Sequence, residues 1–409
     1  MGRPLAALAW MLIVGSLAGC VVYDPALVAG GSCGRHPPTR PTGENTSQDG
    51  DVVFGLRDVV LQQTAAQARM LGYDVDGLCT DSTNRATECT PGMSAPVAID
   101  GDDGVDNQFG ASLYPLVEAA VPGLEGRARA AQMAGNGLPI LRIRGWNRTP
   151  NDPVVDVVIT AAVFSAAGTD QTAPPGVTIR SPIDYTLTNG DPVPAPVWDG
   201  QDWVWVRDDS FLSGDLEMPL VRDEQAYVAN GMVVARLPER VDIVFPTDTT
   251  GVLVRLTDAV ATGQLSEDGT MLNNVIVAGR WSTTDLLSTA ENVGLCRGTA
   301  QYTILQSQLG RLADVRSTPP TPGDPMLDCD SLSIGVGFTG FAMRIAGVTS
   351  GLEIVNQCLN NDAATTTDAG TSTGDAGTDG GSSDMDAATP RDAGVDSGQV
   401  DANDVDTNI

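Results

Sequence analysis

The chain contains no lysine, and its only histidine is His36. Without lysine there is no Schiff-base amine, no phosphate-binding Walker lysine and no Ser–Lys dyad. A single imidazole, set in the proline-rich stretch CGRHPPTRP, supplies neither a preorganised Ser-His-Asp or Cys-His site nor the two histidines of a zinc hydrolase. Positive charge is scarce. Its 23 arginines face 52 acidic residues for a formal net charge of −29, and such a surface repels phosphate backbones. Nucleic-acid binding is therefore excluded as an expectation. Among common hydrolytic schemes, carboxylate chemistry and oxygen-ligated metal sites survive. Aspartate outnumbers glutamate 42 to 10, so sequence alone does not separate a catalytic pair from surface charge.

The first residues read MGRPLAALAWMLIVGSLAGC. Arg3 is a short positive segment, Leu5 to Val14 an apolar run, and Leu17, Ala18, Gly19 and Cys20 end it with small residues. The run is far shorter than the roughly 20 apolar residues of a membrane-spanning helix, and reads as an export signal. LAGC resembles the lipobox of bacterial lipoproteins. The resemblance implies cleavage after Gly19, lipid (palmitate included) on Cys20 and a membrane partner held through that lipid. Val21 follows in place of the aspartate that marks inner-membrane retention, which implies the outer membrane. Lipidation of Cys20 leaves Cys33, Cys79, Cys89, Cys296, Cys329 and Cys358. An even number in an exported chain reads as disulfides. The expected pairs are Cys79 with Cys89, Cys296 with Cys329 and Cys33 with Cys358.

Composition divides the chain into a signal at 1–19, a lipidated tether at 20–50, a helical and Cys/Asp-loop region at 51–137, a β-domain at 138–359 and a tail at 360–409. The tail is built of Asp, Ala, Gly, Thr and Ser, repeats DAG, and has too little apolar surface to offset its conformational entropy. It is read as disordered. In FGLRDVVLQQTAAQARMLG, Leu56, Val59, Val60, Thr64, Ala68 and Leu71 fall near helical spacing. Further helices are expected at 112–134, broken near Pro122-Gly123, and at 300–315. Val- and Ile-rich runs at 138–146, 154–164, 184–188, 203–207, 227–237, 240–246, 251–260, 271–281 and 331–345 read as strands. Many strands without alternating helices predict a β-sandwich of jelly-roll or concanavalin-like type, with its few helices mostly N-terminal.

Two constellations stand out. AIDGDDGVDNQFG gathers Asp100, Asp102, Asp103 and Asp106 between turn-forming glycines. It resembles the Asp/Gly calcium loops of thrombospondin type 3 repeats, with Asp103 as an extra residue, and Asp100, Asp102 and Asp106 are its calcium candidates. In VWDGQDWVWV, Trp203 and Trp205 share one strand face and Val204 and Val206 the other. Either the strand is buried on both sides, or Trp203 and Trp205 form a glycan-stacking face. The lipobox, the DGVDNQFG run and the DAG tail are together similar to Asp/Gly/Thr-tailed lipoproteins of large-genome soil and predatory bacteria, a likeness that implies no activity.

The sequence thus predicts a non-enzymatic outer-membrane lipoprotein that binds neutral glycan. A structural envelope protein without a small ligand and a carboxylate-based glycoside hydrolase are its alternatives.

Overall fold

A computed structural model describes residues 34–43, 50–92, 95–135, 137–165, 177–179, 185–187, 196–237, 240–246, 251–321, 326–349 and 356–358. The signal, Cys20, Cys33 and the 360–409 tail lie outside the described residues.

Among the described residues the strands run in chain order as β1 (Asp51–Val60), β2 (Leu138–Arg144), β3 (Asp152–Ser165), β4 (Val177–Ile179), β5 (Tyr185–Leu187), β6 (Trp203–Arg207), β7 (Arg222–Ala229), β8 (Met232–Arg236), β9 (Val241–Pro246), β10 (Gly251–Leu265), β11 (Met271–Ser282) and β12 (Ser331–Thr349). The principal pairings follow the path β1-β2-β3-β7-β8-β10-β11-β12, every step antiparallel. The path then closes, because Val53–Val60 of β1 also pair with β12, Val53 opposite Met343. The protein is therefore an eight-stranded antiparallel barrel with extra strands, and the expected sandwich is overturned. Both architectures need the same inward-outward alternation along each strand. They differ in whether the first strand meets the last, and closure removes the free edges. No helix among the described residues is long and apolar enough to cross a membrane.

Alternate residues of the strands serve two cores. Phe54, Leu56, Leu141, Ile143, Val157, Ile159, Ile334 and Val336 belong to the principal one. The opposite faces give Val53, Leu138, Ile140, Ala162 and Met343 to a second, with Val204 and Val206 of β6. That strand pairs antiparallel with β3 and parallel with β12. Register shifts at Arg57/Val60, Thr257/Val260 and Leu272/Val275 coincide with Asp58, Asp258 and Asn274 at positive φ, the residue types that tolerate left-handed backbone in a bulge.

Helices are α1 (Ala65–Ala68), α2 (Tyr114–Ala120), α3 (Leu124–Met133), α4 (Thr283–Asn292) and α5 (Ala300–Leu312). The expected helices at 112–134 and 300–315 are present. The one expected from Leu56 to Leu71 is instead β1 followed by the short α1, which Thr64 and Gln67 close with a capping box. Its Phe and Val residues satisfy a strand period as well, and pairing with β2 and β12 on both sides decides the outcome. The run at 227–237 is a hairpin rather than one strand. Asn230 and Gly231, at φ 51° and 78°, make the tight turn between β7 and β8.

Candidate functional site

The helices gather over one part of the barrel and enclose a chamber of about 460 Å³. Its floor is the inward face of the barrel: Val254 and Leu256 of β10, Trp281 of β11, and Ile334 and Val336 of β12. The β9–β10 hairpin extends the wall with Ile243 and Val252. Leu116, Val117 and Leu124 come from α2 and α3, Leu286 and Ala290 from α4, and Ile304, Leu305 and Leu309 from α5. Phe109 is set 5.9 Å from the Trp281 ring and 5.8 Å from Tyr114. Among the described residues, none that lines the chamber is charged. At the rim, Leu116 and Ile304 are exposed apolar side chains. An apolar cavity of this size at a barrel mouth is within the range that holds small molecules.

A second feature lies on the outer face of the barrel, where the loops after α1 meet β12. Gly335 permits the approach, since a Cβ there would fall 2.0 Å from the Leu71 carbonyl oxygen. The buried Asn107 ties the loops down. Its Nδ2 donates to the Leu71 carbonyl at 2.8 Å, and its Oδ1 accepts from Gly335 N at 3.1 Å and Gly110 N at 3.0 Å. Beside it Asp74, Asp76 and Asp106 bring carboxylate oxygens within 4.8 Å of one another. Asp76, Asp100, Asp106 and Asp314 line a cavity of about 20 Å³, with one cation, Arg311, among them. Asp106 accepts from Val75 N at 2.8 Å, Asp100 from Thr80 N at 2.6 Å, and Asp314 from Ser333 N at 2.8 Å. Burial raises all these acids: Asp76 to about 8, Asp314 to about 7 and Asp100 to about 6. Asp106 is raised well above the usual carboxylate range, by burial and then by the charges of Asp76 and Asp100, and Asp74 is raised by burial. A cation with oxygen ligands suits this donor set, and the cavity has room for one small ion.

The expected calcium residues divide. Asp100 and Asp106 are at the cavity, whereas Asp102 is half exposed and paired with Arg69 at 2.7 Å. Asp74, Asp76 and Asp314 were not among the candidates, because Asp74 and Asp76 precede the Asp100–Asp106 run by more than 20 residues and Asp314 follows it by more than 200.

Trp205 is 4% exposed and packs on Ala346. Trp203 is half-buried, with the Arg344 guanidinium 5.6 Å from its ring. The strand thus offers no pair of open indoles. Cys89 is bonded to Cys329 and Cys296 to Cys358, and Cys79 is also oxidised. Disulfides are present as expected, but the expected pairings are replaced. The Cys79–Cys89 pair needed only a local turn to close so short a loop. In the fold, Thr90 instead bridges to Asp328, which brings Cys89 beside Cys329 across 240 residues.

Comparison of the chain with known protein families, curated proteins and solved structures finds no match.

Proposed function

We propose that this chain is a lipid-anchored envelope protein whose barrel takes up an apolar small molecule in its mouth chamber. The address rests on the LAGC motif ending at Cys20. The binding reading rests on one observation, the uncharged 460 Å³ chamber between the barrel and helices α2–α5. It is favoured over glycan binding because Trp205 is enclosed, and the ring of Trp203 is covered in part by Arg344. It is favoured over carboxylate hydrolysis at this site because no acid among the described residues lines the chamber.

The test is uptake of the neutral fluorophore N-phenyl-1-naphthylamine by the full chain. Ala120 lines the opening and is itself exposed. Ala120→Trp fills that opening from the solvent side, so it should abolish the fluorescence rise while changing stability by only about 0.5 kcal/mol, as surface substitutions do. Uptake unaffected by Ala120→Trp refutes the reading. The address is tested separately: Cys20→Ser should release the protein from membrane fractions.

A second reading concerns the acid cavity. The convergence of Asp74, Asp76 and Asp106, with Asp100 and Asp314 beside them, favours a structural Ca²⁺ that clamps the loops to β12.

A further inference from the structure

We infer that the ligand of the chamber is an uncharged amphiphile, an aliphatic body carrying a hydroxyl or ester head, and that Gln301 and Gln308 select it. The inference rests on the chamber being a ligand site and adds the chemical class.

Five lining side chains have hydrogen-bonding atoms: Tyr114, Trp281, Thr289, Gln301 and Gln308. The Tyr114 hydroxyl donates to Glu118 at 3.1 Å and accepts from Glu125 N at 3.2 Å. The Thr289 hydroxyl donates to the Leu253 carbonyl at 2.5 Å. The indole nitrogen of Trp281 is enclosed, with no surface for a ligand to touch. Gln301 and Gln308 remain, and no hydrogen bond occupies their side-chain amides among the described residues.

These two stand seven positions apart on α5, two turns of helix, and so on one face. Ile304 and Leu305 lie between them and also line the chamber. The amides therefore border apolar surface. An amide both donates and accepts, which suits a hydroxyl, ester or amide head and gives no charge to balance an ion.

An anionic head meets the opposite situation. Among the described residues no arginine or histidine lines the chamber, the chain has no lysine, and its net charge is −29. Two acids of the covering helices are already engaged: the Glu118 carboxylate accepts from the Tyr114 hydroxyl, and that of Glu125 accepts from Leu61 N at 2.7 Å and pairs with Arg129 at 2.9 Å. A carboxylate drawn into this chamber would lose hydration without a counter-ion, a cost that binding of the chain does not recover.

The test compares dodecan-1-ol with dodecanoate by calorimetric titration of the full chain, at about pH 8 where the acid is ionised. The alcohol should bind and dodecanoate should bind roughly tenfold more weakly or less. Gln308→Arg, a substitution at a partly exposed position to another good helix former, should narrow or reverse that ratio. Dodecanoate binding as well as dodecan-1-ol, or a ratio unmoved by Gln308→Arg, overturns the inference and leaves the chamber as a site. Uptake of N-phenyl-1-naphthylamine without binding of the alcohol does the same. Failure of all three probes overturns the chamber reading itself.

Discussion

The carboxylates of Asp76 and Asp106 lie within 4.8 Å of each other, and Asp106 also accepts the backbone N–H of Asp76 at 3.3 Å. Two buried acids this close do not both ionise without a counter-charge. Among the described residues, Arg311 is the single cation lining the cavity they share with Asp100 and Asp314. In metal-free protein the folded state thus holds protons that the unfolded chain has already lost. A carboxyl whose folded pKa is raised contributes stability that is complete below its unfolded value and is lost as pH rises through the folded one. For Asp100, Asp314 and Asp76 the loss runs through about 6, about 7 and about 8.

In EDTA, then, the melting temperature should fall between about pH 5 and pH 8. Excess Ca²⁺ should raise it, most at the alkaline end, because the ion binds the native carboxylates only. Calcium binding near neutral pH should also release protons, read as a heat that depends on the ionisation enthalpy of the buffer. Superimposable melting curves with EDTA and Ca²⁺ refute the metal reading. Asp102→Asn should leave the calcium response unchanged, since that side chain pairs with Arg69 outside the cavity.

Glu88 and Arg280 form an enclosed ion pair, their side chains 4% and 2% exposed. Glu88 also accepts from Arg316 N at 2.6 Å, and Arg280 donates to the carbonyls of Arg316 and Val75. Removing Glu88 leaves Arg280 only the half-exposed Asp258, at 3.4 Å, as a counter-charge. Glu88→Gln should destabilise the fold by about 3–5 kcal/mol in urea unfolding, and the double variant Glu88→Gln, Arg280→Met should recover part of that. A single variant of wild-type stability contradicts the burial of the pair.

Peptide mapping of the oxidised protein should recover Cys89 with Cys329 and Cys296 with Cys358. Cys329→Ser should cost roughly 2–5 kcal/mol, because the bond closes a long loop in the unfolded chain. The expected Cys79–Cys89 peptide in place of these would contradict the packing of the Cys89 loop against the start of β12.

Strand content was legible because it depends on local residue choice: Val154–Phe164 and Met271–Trp281 lie within β3 and β11. Closure was not legible, since β1 and β12 meet through residues almost three hundred positions apart, Val53 and Met343 among them. The chamber escaped for the same reason. Its Leu, Val and Ile residues are those of an ordinary core, and nothing in their pattern shows that the helices stop short of filling the mouth. Helix α4 was missed although Ser282 caps it, accepting from Asp285 N at 3.0 Å, because it continues directly from β11 without a turn-forming residue. The acid cavity was half legible. Asp100 and Asp106 stand in a visible cluster, but Asp74, Asp76 and Asp314 join them only through the fold.

The central claim is that the barrel mouth is a ligand chamber, and a crystal of the protein grown with 12-bromododecan-1-ol tests it most directly. The anomalous scattering of bromine reports where the aliphatic end lies, independent of any fitted chain. One bromine peak is expected inside the chamber, among Leu256, Trp281 and Ile334 of the barrel floor, with the hydroxyl toward Gln301 and Gln308. No peak there, with α2 and α5 closed onto the barrel and the chamber filled by its own side chains, would contradict it.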